Sequence, residues 1–297
     1  MNLRDLKYLV SVAKFGNFGR AAEACFVSQP ALSMQIKKLE KFLGVQIFER
    51  NNKSVLITDA GANIVNCAEQ ILQKTEELKE IANSAKDPLA GEFKLGLFPT
   101  LGPYLLPHII AKLSQTLPNI DFYLVEEKTE VLLEMINKGE IHAALLSLDI
   151  IDKSLASHTL FEEEFMLAVS HNSPLSNKKI VTKNDIDHQK LLLLSDGHCL
   201  KDQLVNFCQH IENPSNLSYR ATSLEILRHM VAANSGMTLM PKLATEKCSL
   251  ATYIPFKAPK PKRTISLVYK KITSKKVLLK ILAKQIQKIM ASLEPCY

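Results

Sequence analysis

Ser28-Gln-Pro-Ala-Leu-Ser-Met-Gln-Ile-Lys-Lys-Leu39 is the most informative stretch in the amino-terminal part of the chain. Ser28 can cap a helix, and Pro30 suits the first helical turn, where a missing backbone N–H costs little. Apolar side chains recur at the spacing of one buried helix face: Leu32, Ile36, Leu39 and Leu43. Polar and basic side chains on or near the outward faces suit base edges and phosphates. The predicted DNA-binding residues of this helix are Gln29, Pro30, Ser33, Gln35, Lys37 and Lys38.

Two helical segments precede this stretch. Leu3, Leu6, Val10 and Ala13 form a first amphipathic pattern that ends near Gly16-Asn17. A shorter helix follows, with Phe18, Ala21, Ala22 and Cys25 on one face, and then an apolar turn. Two short helices joined by a tight turn, the second polar and basic, predict a helix-turn-helix.

A β-hairpin wing is expected directly after the helix-turn-helix. Val45 and Ile47 alternate with polar residues on one side of a polar segment, and Val55 and Ile57 do so on the other. The tip of this hairpin carries two cations that could reach the phosphate backbone of DNA. These predicted contacts are Arg50 and Lys53.

A long helix is predicted from Asp59 to Ala85, capped by Thr58. Its small and apolar residues recur at alternating intervals of about four and three, as in a heptad seam: Ile64, Ala68, Ile71, Thr75, Leu78, Ala82 and Ala85. Such a helix is about 40 Å long, which a small domain does not need. We therefore expect it to pair with a second copy of itself, which places two DNA-binding heads on an inverted-repeat site. Residues 86–91 break the helix and mark a domain boundary.

Strand and helix patterns alternate through the rest of the chain, which predicts an α/β fold with mainly parallel connections. The last segment, residues 257–288, carries 11 basic residues and no acidic one within a net charge of +7. Its apolar residues have strand and then helix spacing. We interpret its lysines as the outer face of a packed strand and helix rather than as a nucleic-acid surface.

The composition bounds the cellular context. The amino terminus runs straight into a charged helical pattern, without a signal peptide, and the longest uncharged segment is too short and too rich in proline to span a bilayer. We expect a cytoplasmic protein whose six cysteines do not form structural disulfides. Cys25, Cys67, Cys248 and Cys296 are interpreted as inert packing or terminal residues.

The other two cysteines lie in a stretch that suggests redox sensing. Cys199 is flanked by His198 and Lys201, and nearby cations favour the reactive thiolate. In an unbroken helix, Cys199 and Cys208 would be about 13 Å apart along the axis and on roughly opposite faces. A disulfide requires α-carbons within about 7 Å, so a bond between them would remodel the segment. The alternatives are inert buried thiols and a metal site with His210, but adjacent ligands are awkward. We predict no cofactor and no metal.

The amino-terminal motifs resemble those of LysR-type transcriptional regulators. They are Leu6-Lys-Tyr-Leu, Arg20-Ala-Ala-Glu, the segment 27–40, Leu43-Gly-Val, Phe48-Glu-Arg50 and Thr58-Asp-Ala-Gly61. Within that family, segments 99–108, 196–203 and 220–225 are similar to those of members that sense peroxide. The resemblance covers nearly the whole chain.

This resemblance implies a particular architecture. An all-α winged helix-turn-helix domain (residues 1–58) and a linker and dimerisation helix (residues 59–90) precede an α/β regulatory domain (residues 91–297). The regulatory domain is expected to have two subdomains like those of periplasmic binding proteins. Subdomain I covers about 91–163 and 268–297, and subdomain II about 164–267. The chain crosses between them near residues 162–165 and 264–268.

The resemblance also implies the residues of the site and the partners. Cys199 matches the peroxide-reactive cysteine and Cys208 its resolving partner, while Thr100, Thr129, His198 and Arg263 match the peroxide pocket. The implied protein is not an enzyme. It is a homotetrameric activator of oxidative-stress genes that works with RNA polymerase and is reset by a reductant such as glutaredoxin. One alternative stays open: a regulator of the same family that binds a small metabolite between its subdomains.

Overall fold

The computed structural model describes residues 1–51, 54–147, 152–186, 191–195, 220–245 and 250–293. The chain forms two units, Met1–Lys86 and Asp87–Tyr297, here called the amino-terminal and carboxy-terminal units. Several predicted site residues lie outside the described ones: Lys53, His198, Cys199 and Cys208. The side chain of Arg50 is also outside them.

The amino-terminal unit begins with three helices: α1 (Leu3–Phe15), α2 (Phe18–Ala24) and α3 (Gln29–Leu43). Helix α1 ends at Gly16 in the left-handed conformation, where the sequence predicted its end, and the Asn17 side chain then caps α2. Ser28 stands at the N-cap position of α3, but its side chain makes no capping hydrogen bond, so that prediction was wrong. The apolar faces of the helices meet in one core, where Leu9, Val12, Ala21, Leu32 and Ile36 are fully buried.

The predicted wing is present as two antiparallel strands, β1 (Phe48–Asn51) and β2 (Ser54–Ile57). Its base is attached to α3 through Glu40, whose carboxylate accepts the backbone N–H groups of Ile47 (2.9 Å) and Phe48 (3.1 Å). The Phe48 ring also packs edge-on against Phe18, with centroids 6.1 Å apart. The wing is therefore held on the helical core at the end opposite its tip.

Helix α4 (Asp59–Lys86) is a single helix of 28 residues. Thr58 caps it, because its hydroxyl oxygen accepts the N–H of Gly61 at 2.9 Å. A Cβ on Gly61 would lie 2.3 Å from the carbonyl oxygen of Ile47, so only glycine permits this close approach between α4 and the segment before the wing.

The predicted seam of α4 divides into two parts. Ala68 is buried and Ile64 partly buried in the core of the amino-terminal unit itself, so this end of the seam serves the chain's own packing. Ile71 and Leu78 remain 38% and 68% exposed. The part of α4 available to a second copy is therefore the part that begins near Ile71.

The carboxy-terminal unit contains nine strands and four helices among its described residues. The strands are β3 (Gly91–Leu97), β4 (Ile120–Glu126), β5 (Ala143–Leu146), β6 (Leu155–Val169), β7 (Leu193–Leu194), β8 (Arg220–Ala221), β9 (Thr238–Pro241), β10 (Thr252–Pro255) and β11 (Lys262–Lys270). The helices are α5 (Gly102–Thr116), α6 (Thr129–Lys138), α7 (Leu224–Ala232) and α8 (Lys276–Leu293). Short 3₁₀ turns cover Pro174–Asn177, Lys183–Asp185 and Lys242–Thr245.

The main sheet has the strand order β10-β6-β11-β5-β3-β4, with β9 also paired to β6. Strands β3, β4 and β5 pair in parallel, whereas β6 pairs antiparallel with β9, β10 and β11, and β11 pairs antiparallel with β5. The α/β class was predicted correctly; the predicted parallel pairing holds for β3, β4 and β5 and for β7 with β8, but not for β6, β9, β10 and β11. Long strands that pass from one core to another return antiparallel, and periodicity does not reveal their direction.

Two apolar cores lie along this sheet. The first core joins β3, β5, α5, α6 and α8, and the second joins β9, β10 and α7. Strand β6 contributes to both, with Leu160 in the first core and Phe165 and Leu167 in the second. Strand β11 runs beside it, and the pairing shifts register between Ile265 and Ser266. Strand β6 is therefore a continuous element of both cores, whereas the buried apolar residues of β11 belong to the first core.

The basic end of the chain packs as the sequence predicted. In β11 and α8 the apolar residues Leu267, Leu282 and Ile286 are buried. The lysines of α8 are exposed along its outer side: Lys276, Lys280, Lys284 and Lys288. No helix within the described ranges combines the length and apolarity needed to span a membrane.

Candidate functional site

The predicted DNA-binding side chains of α3 differ in their accessibility. Gln29, Pro30, Lys37 and Lys38 are exposed, as a surface that meets DNA requires. Ser33 and Gln35 are half-buried and therefore less accessible than these four residues. The exposed start and the exposed basic positions of α3 are therefore the candidate DNA interface.

Two exposed apolar residues near the start of α3 were not predicted from the sequence. Phe26, in the turn before α3, is 95% exposed, and Met34 is 57% exposed. Met34 could have been noticed, because it falls between the buried positions Leu32 and Ile36 and outside the inward stripe. Phe26 carried no such signal, since an apolar turn is equally consistent with burial.

Thr100 and Thr129 lie at equivalent places in the carboxy-terminal unit. Strands β3 and β4 are parallel neighbours with Leu97 opposite Glu126. Each threonine follows three residues after the end of its strand, where α5 and α6 begin. Because the carboxyl ends of parallel strands open on one edge, both threonines belong to the edge where ligands bind in open α/β sheets. Thr100 is buried and Thr129 is half-buried.

Arg263 is joined to Thr100 by two hydrogen bonds. One terminal nitrogen of its guanidinium donates to the Thr100 hydroxyl oxygen and the other to the Thr100 carbonyl oxygen, both at 2.9 Å. Arg263 is only 2% exposed. Its guanidinium carbon lies 5.1 Å from the ring centroid of Phe98 and 5.7 Å from that of Phe165. A single arginine thus holds the end of β3 against β11.

Glu163 neutralises this buried arginine. Its Oε2 accepts from Arg263 Nε at 2.7 Å, and its Oε1 accepts the backbone N–H of Leu243 at 3.1 Å. Glu163 is 4% exposed, and it faces Arg263 directly in the β6–β11 register. The sequence reasoning missed this residue, although strand alternation in Glu162-Glu-Glu164 makes its side chain point away from those of its two neighbours.

The ion pair changes the expected role of Arg263. A guanidinium bonded to Glu163 at 2.7 Å has its charge compensated locally, so it is a weak source of net positive potential. Its hydrogen bonds have a clearer consequence. Because the Thr100 oxygen accepts from Arg263, the Thr100 hydroxyl proton is free to donate to a different acceptor.

A second polar network links α5 to α7. The Tyr104 hydroxyl donates to Glu225 Oε1 at 2.8 Å, and Arg228 donates to both Glu225 oxygens at 3.1 and 3.0 Å. Arg228 is buried and also donates to the Tyr253 hydroxyl and to the carbonyl of Ala244, each at 2.6 Å. Tyr104 packs against both cores, so this network spans them.

The same network shifts two ionisation equilibria. Burial, and then the hydrogen bond to Glu225, raises the pKa of Tyr104 far above its ordinary value. Burial alone would raise the pKa of Glu225, but hydrogen bonds from Arg228 and Tyr104 hold it below its ordinary value. The cap of α7 is Ser223, whose hydroxyl accepts from Ile226 at 3.3 Å.

A cavity of about 670 Å³ lies beside the ion pair. Glu163, Phe161, Leu243, Pro259 and Met290 contribute to its walls. Lys260 and Lys262 also line it, paired with Glu164 at 2.9 Å and Glu162 at 2.7 Å. Among the described residues, no group of three His, Cys, Asp or Glu side chains is arranged to hold a metal ion.

A winged helix-turn-helix, a long exposed helix and a two-core α/β unit together define a DNA-binding transcription regulator. Residues 3–62 match the model of bacterial regulatory helix-turn-helix proteins of the lysR family, and residues 86–287 match the LysR substrate binding domain. The chain belongs to the LysR family.

Several relatives and solved structures are similar over nearly the whole chain. The DNA-binding transcriptional dual regulator OxyR of Escherichia coli is 44% identical over 273 residues, which is 91% of this chain and 90% of that protein. A full-length OxyR variant from Pseudomonas aeruginosa has a TM-score of 0.74 and 34% identity, covering 97% of this chain and 98% of that one. A hydrogen peroxide-bound OxyR mutant of Corynebacterium glutamicum has a TM-score of 0.65 and 29% identity, covering 98% and 93%.

Replacing Glu163 by alanine tests whether the ion pair supports the carboxy-terminal unit. Glu163→Ala leaves a buried guanidinium without its counter-charge, and we expect a loss of about 3–5 kcal/mol in the free energy of unfolding. Chemical denaturation of the purified full chain measures this loss.

The two neighbouring acids of β6 are matched controls for this substitution. Glu162 and Glu164 form exposed pairs with Lys262 and Lys260, so their replacement by alanine is expected to cost less than about 1 kcal/mol each. If Glu163→Ala were as mild as these two variants, the ion pair would not be a structural support.

Proposed function

We propose that this chain is a transcription regulator that responds to hydrogen peroxide in the cytoplasm and controls oxidative-stress genes. The observation that carries the proposal is the 44% identity to E. coli OxyR across 91% of the chain, which includes both Cys199 and Cys208. Relatives named hydrogen peroxide-inducible genes activator, such as that of Haemophilus influenzae at 40% identity, support it further.

The proposed chemistry oxidises two thiols with one peroxide. The Cys199 thiolate attacks one peroxide oxygen, the O–O bond breaks, and the departing hydroxide takes up a proton to leave as water. This step gives a sulfenic acid on Cys199. The Cys208 thiol then attacks that sulfur, a disulfide forms, and a second water leaves. Cys199 and Cys208 are nine residues apart, so the disulfide demands a local rearrangement if this segment is helical.

The hydroxyl of Thr100 is proposed to bind peroxide during the first step. Its oxygen accepts from Arg263, so its proton points to another acceptor, and a peroxide oxygen that gains negative charge in the transition state is a suitable one. Arg263 and Glu163 then act as positioning residues for this hydroxyl. Thr129 on the same sheet edge and His198 complete the proposed pocket.

DNA binding is assigned to the amino-terminal unit. Gln29, Pro30, Ser33, Gln35, Lys37 and Lys38 of α3 are proposed to meet the major groove, with Arg50 and Lys53 of the wing on phosphates. The exposed part of α4 beyond Ile71 is proposed to pair with a second copy, so that the protein binds an inverted repeat as a dimer of heads. Assembly into a tetramer, contact with RNA polymerase and resetting by a glutaredoxin-like reductant belong to the same proposal.

A metabolite-responsive regulator is the second candidate. The cavity of about 670 Å³ beside Glu163 has the size of a small-molecule site and touches residues of the first core, including Leu243 and Met290. In that case the two cysteines would be incidental, and peroxide would change neither their oxidation state nor the DNA contacts.

Thiol counting separates the two candidates. The reduced full chain has six cysteines, and oxidation by stoichiometric peroxide is expected to lower the number of free thiols from six to four. Cys199→Ser should abolish the loss, and Cys208→Ser should leave a trappable sulfenic acid. The measurement is thiol titration with peptide mass spectrometry.

Cys67 offers a matched control for the thiol count, because it is exposed but lies outside the proposed pair. Cys67→Ser should still lose two thiols to peroxide. A Cys199→Ser protein that loses two thiols would contradict the proposed chemistry, and an unchanged wild-type count would favour the metabolite candidate.

Thr100→Val tests the proposed hydrogen bond to peroxide. The substitution keeps the shape and removes the hydroxyl, so we expect peroxide to oxidise Cys199 about tenfold more slowly, as the loss of one hydrogen bond in the transition state implies. The rate is measured by rapid mixing with peroxide.

Two comparisons distinguish this role from a structural one. Thr100→Ser should retain the rate, as should Thr116→Val, which removes a hydroxyl bonded to the Lys112 carbonyl on the same helix. Alkylation of Cys199 by iodoacetamide, which needs no such hydrogen bond, should be equally fast in all of these proteins. Wild-type oxidation kinetics in Thr100→Val would exclude the hydroxyl from the reaction.

A further inference from the structure

The turn between α2 and α3 contains an aromatic side chain that the fold does not bury. Phe26 is 95% exposed, and its φ of +56° lies in the left-handed region. This conformation suits glycine or asparagine and crowds the Cβ of a phenylalanine against the backbone. An unburied ring on a strained backbone contributes nothing to the stability of the amino-terminal unit.

The geometry of the turn imposes this conformation. The N–H of Phe26 donates to the carbonyl of Glu23 at 3.1 Å, and the N–H of Val27 donates to that of Ala22 at 3.0 Å. These bonds end α2 and aim the chain at Ser28, the N-cap of α3. The left-handed residue is therefore required by the helix-turn-helix, but the phenyl ring is not. The fold therefore does not explain why a phenylalanine, which is strained in this conformation, occupies the position. Such unexplained strain is a reason to look for a function of the side chain.

The position of Phe26 specifies what the ring can reach. It lies two residues before the N-cap of α3, and Pro30, Ala31 and Met34 in the first turns of that helix are also exposed. In a helix-turn-helix, the start of the second helix is the part that contacts base edges in the major groove. Apolar side chains there have one apolar partner on the bases, the 5-methyl group of thymine.

We propose that Phe26 contacts thymine methyl groups in the major groove and so contributes to the choice of DNA sequence. This inference rests on the proposed DNA-binding function of the amino-terminal unit and adds a direct contact to it. Phosphate contacts by lysines fix the position of a protein on DNA without reading its sequence, whereas a ring packed on methyl groups distinguishes thymine from cytosine and from uracil.

Thymine-to-uracil replacement in the DNA tests this contact. A duplex selected by the wild-type protein from a random pool is synthesised with thymine or with uracil, and dissociation constants are measured by fluorescence anisotropy. Wild-type protein should bind the uracil duplex about fourfold more weakly for each methyl contacted, the factor that burial of one such group carries. Phe26→Asn should bind both duplexes equally, with the affinity that wild-type protein has for uracil DNA.

Two further variants keep the test specific. Phe26→Gly also fits the left-handed backbone and should behave like Phe26→Asn, and both should melt at or above the wild-type temperature because the strain is relieved. Phe42→Asn changes another exposed ring, at the far end of α3, and should keep the wild-type ratio between the two duplexes.

The possible failures are distinguishable. A Phe26→Asn protein that keeps the wild-type preference for thymine would overturn the proposed contact alone. A loss of DNA affinity together with a lower melting temperature in both Phe26 variants would also overturn the proposed contact, because that result indicates a structural role for the ring. A wild-type protein that selects no DNA would overturn the proposed function together with this inference.

Discussion

The rest of the carboxy-terminal unit depends on the buried ion pair between Arg263 and Glu163. Burial of two charges is favourable only when their remaining hydrogen-bonding groups are satisfied, and here the Thr100 oxygens and the Leu243 N–H satisfy them. The pair therefore fixes four segments at once: β6, β11, the end of β3 and the turn after β9. Glu163 lies on β6 between Leu160 of the first core and Phe165 of the second, so these segments meet where β6 passes from one core to the other.

This arrangement relates the structural support to the proposed chemistry. Arg263, which is held by Glu163, donates to the Thr100 hydroxyl oxygen, so the proposed peroxide pocket is oriented by the paired strands β6 and β11. The Tyr104–Glu225–Arg228 network makes a second connection between the cores, through α5 and α7. A change of shape after residue 195 would act on α7 through the chain, and α7 is tied to α5 by that network. The proposed switch is thus a rearrangement of a unit whose two cores are connected by buried polar networks. Hydrogen bonds in such networks are directional, so they fix a specific geometry.

The sequence predicted the parts of the molecule that depend on local patterns. The helix-turn-helix, the wing, the Thr58 cap and the outward lysines of α8 follow from periodicity and capping, and the structure confirms them. The sequence did not reveal that the charge of Arg263 is neutralised, because its partner Glu163 is 100 residues away in the chain. Only the β6–β11 register brings the two side chains together. The same limit applies to strand direction and to the network around Glu225, whose residues come from four separate elements. The left-handed conformation of Phe26 was also hidden, since phenylalanine is not a residue that predicts it.

The central claim is that peroxide chemistry in the carboxy-terminal unit changes how the amino-terminal units contact DNA. The most direct measurement is a footprint on a selected inverted-repeat duplex, made with the reduced and then the peroxide-treated full chain. We expect peroxide to change the protected positions with wild-type protein and to leave them unchanged with Cys199→Ser. Identical footprints for reduced and oxidised wild-type protein, at a concentration where both are bound, would contradict the central claim.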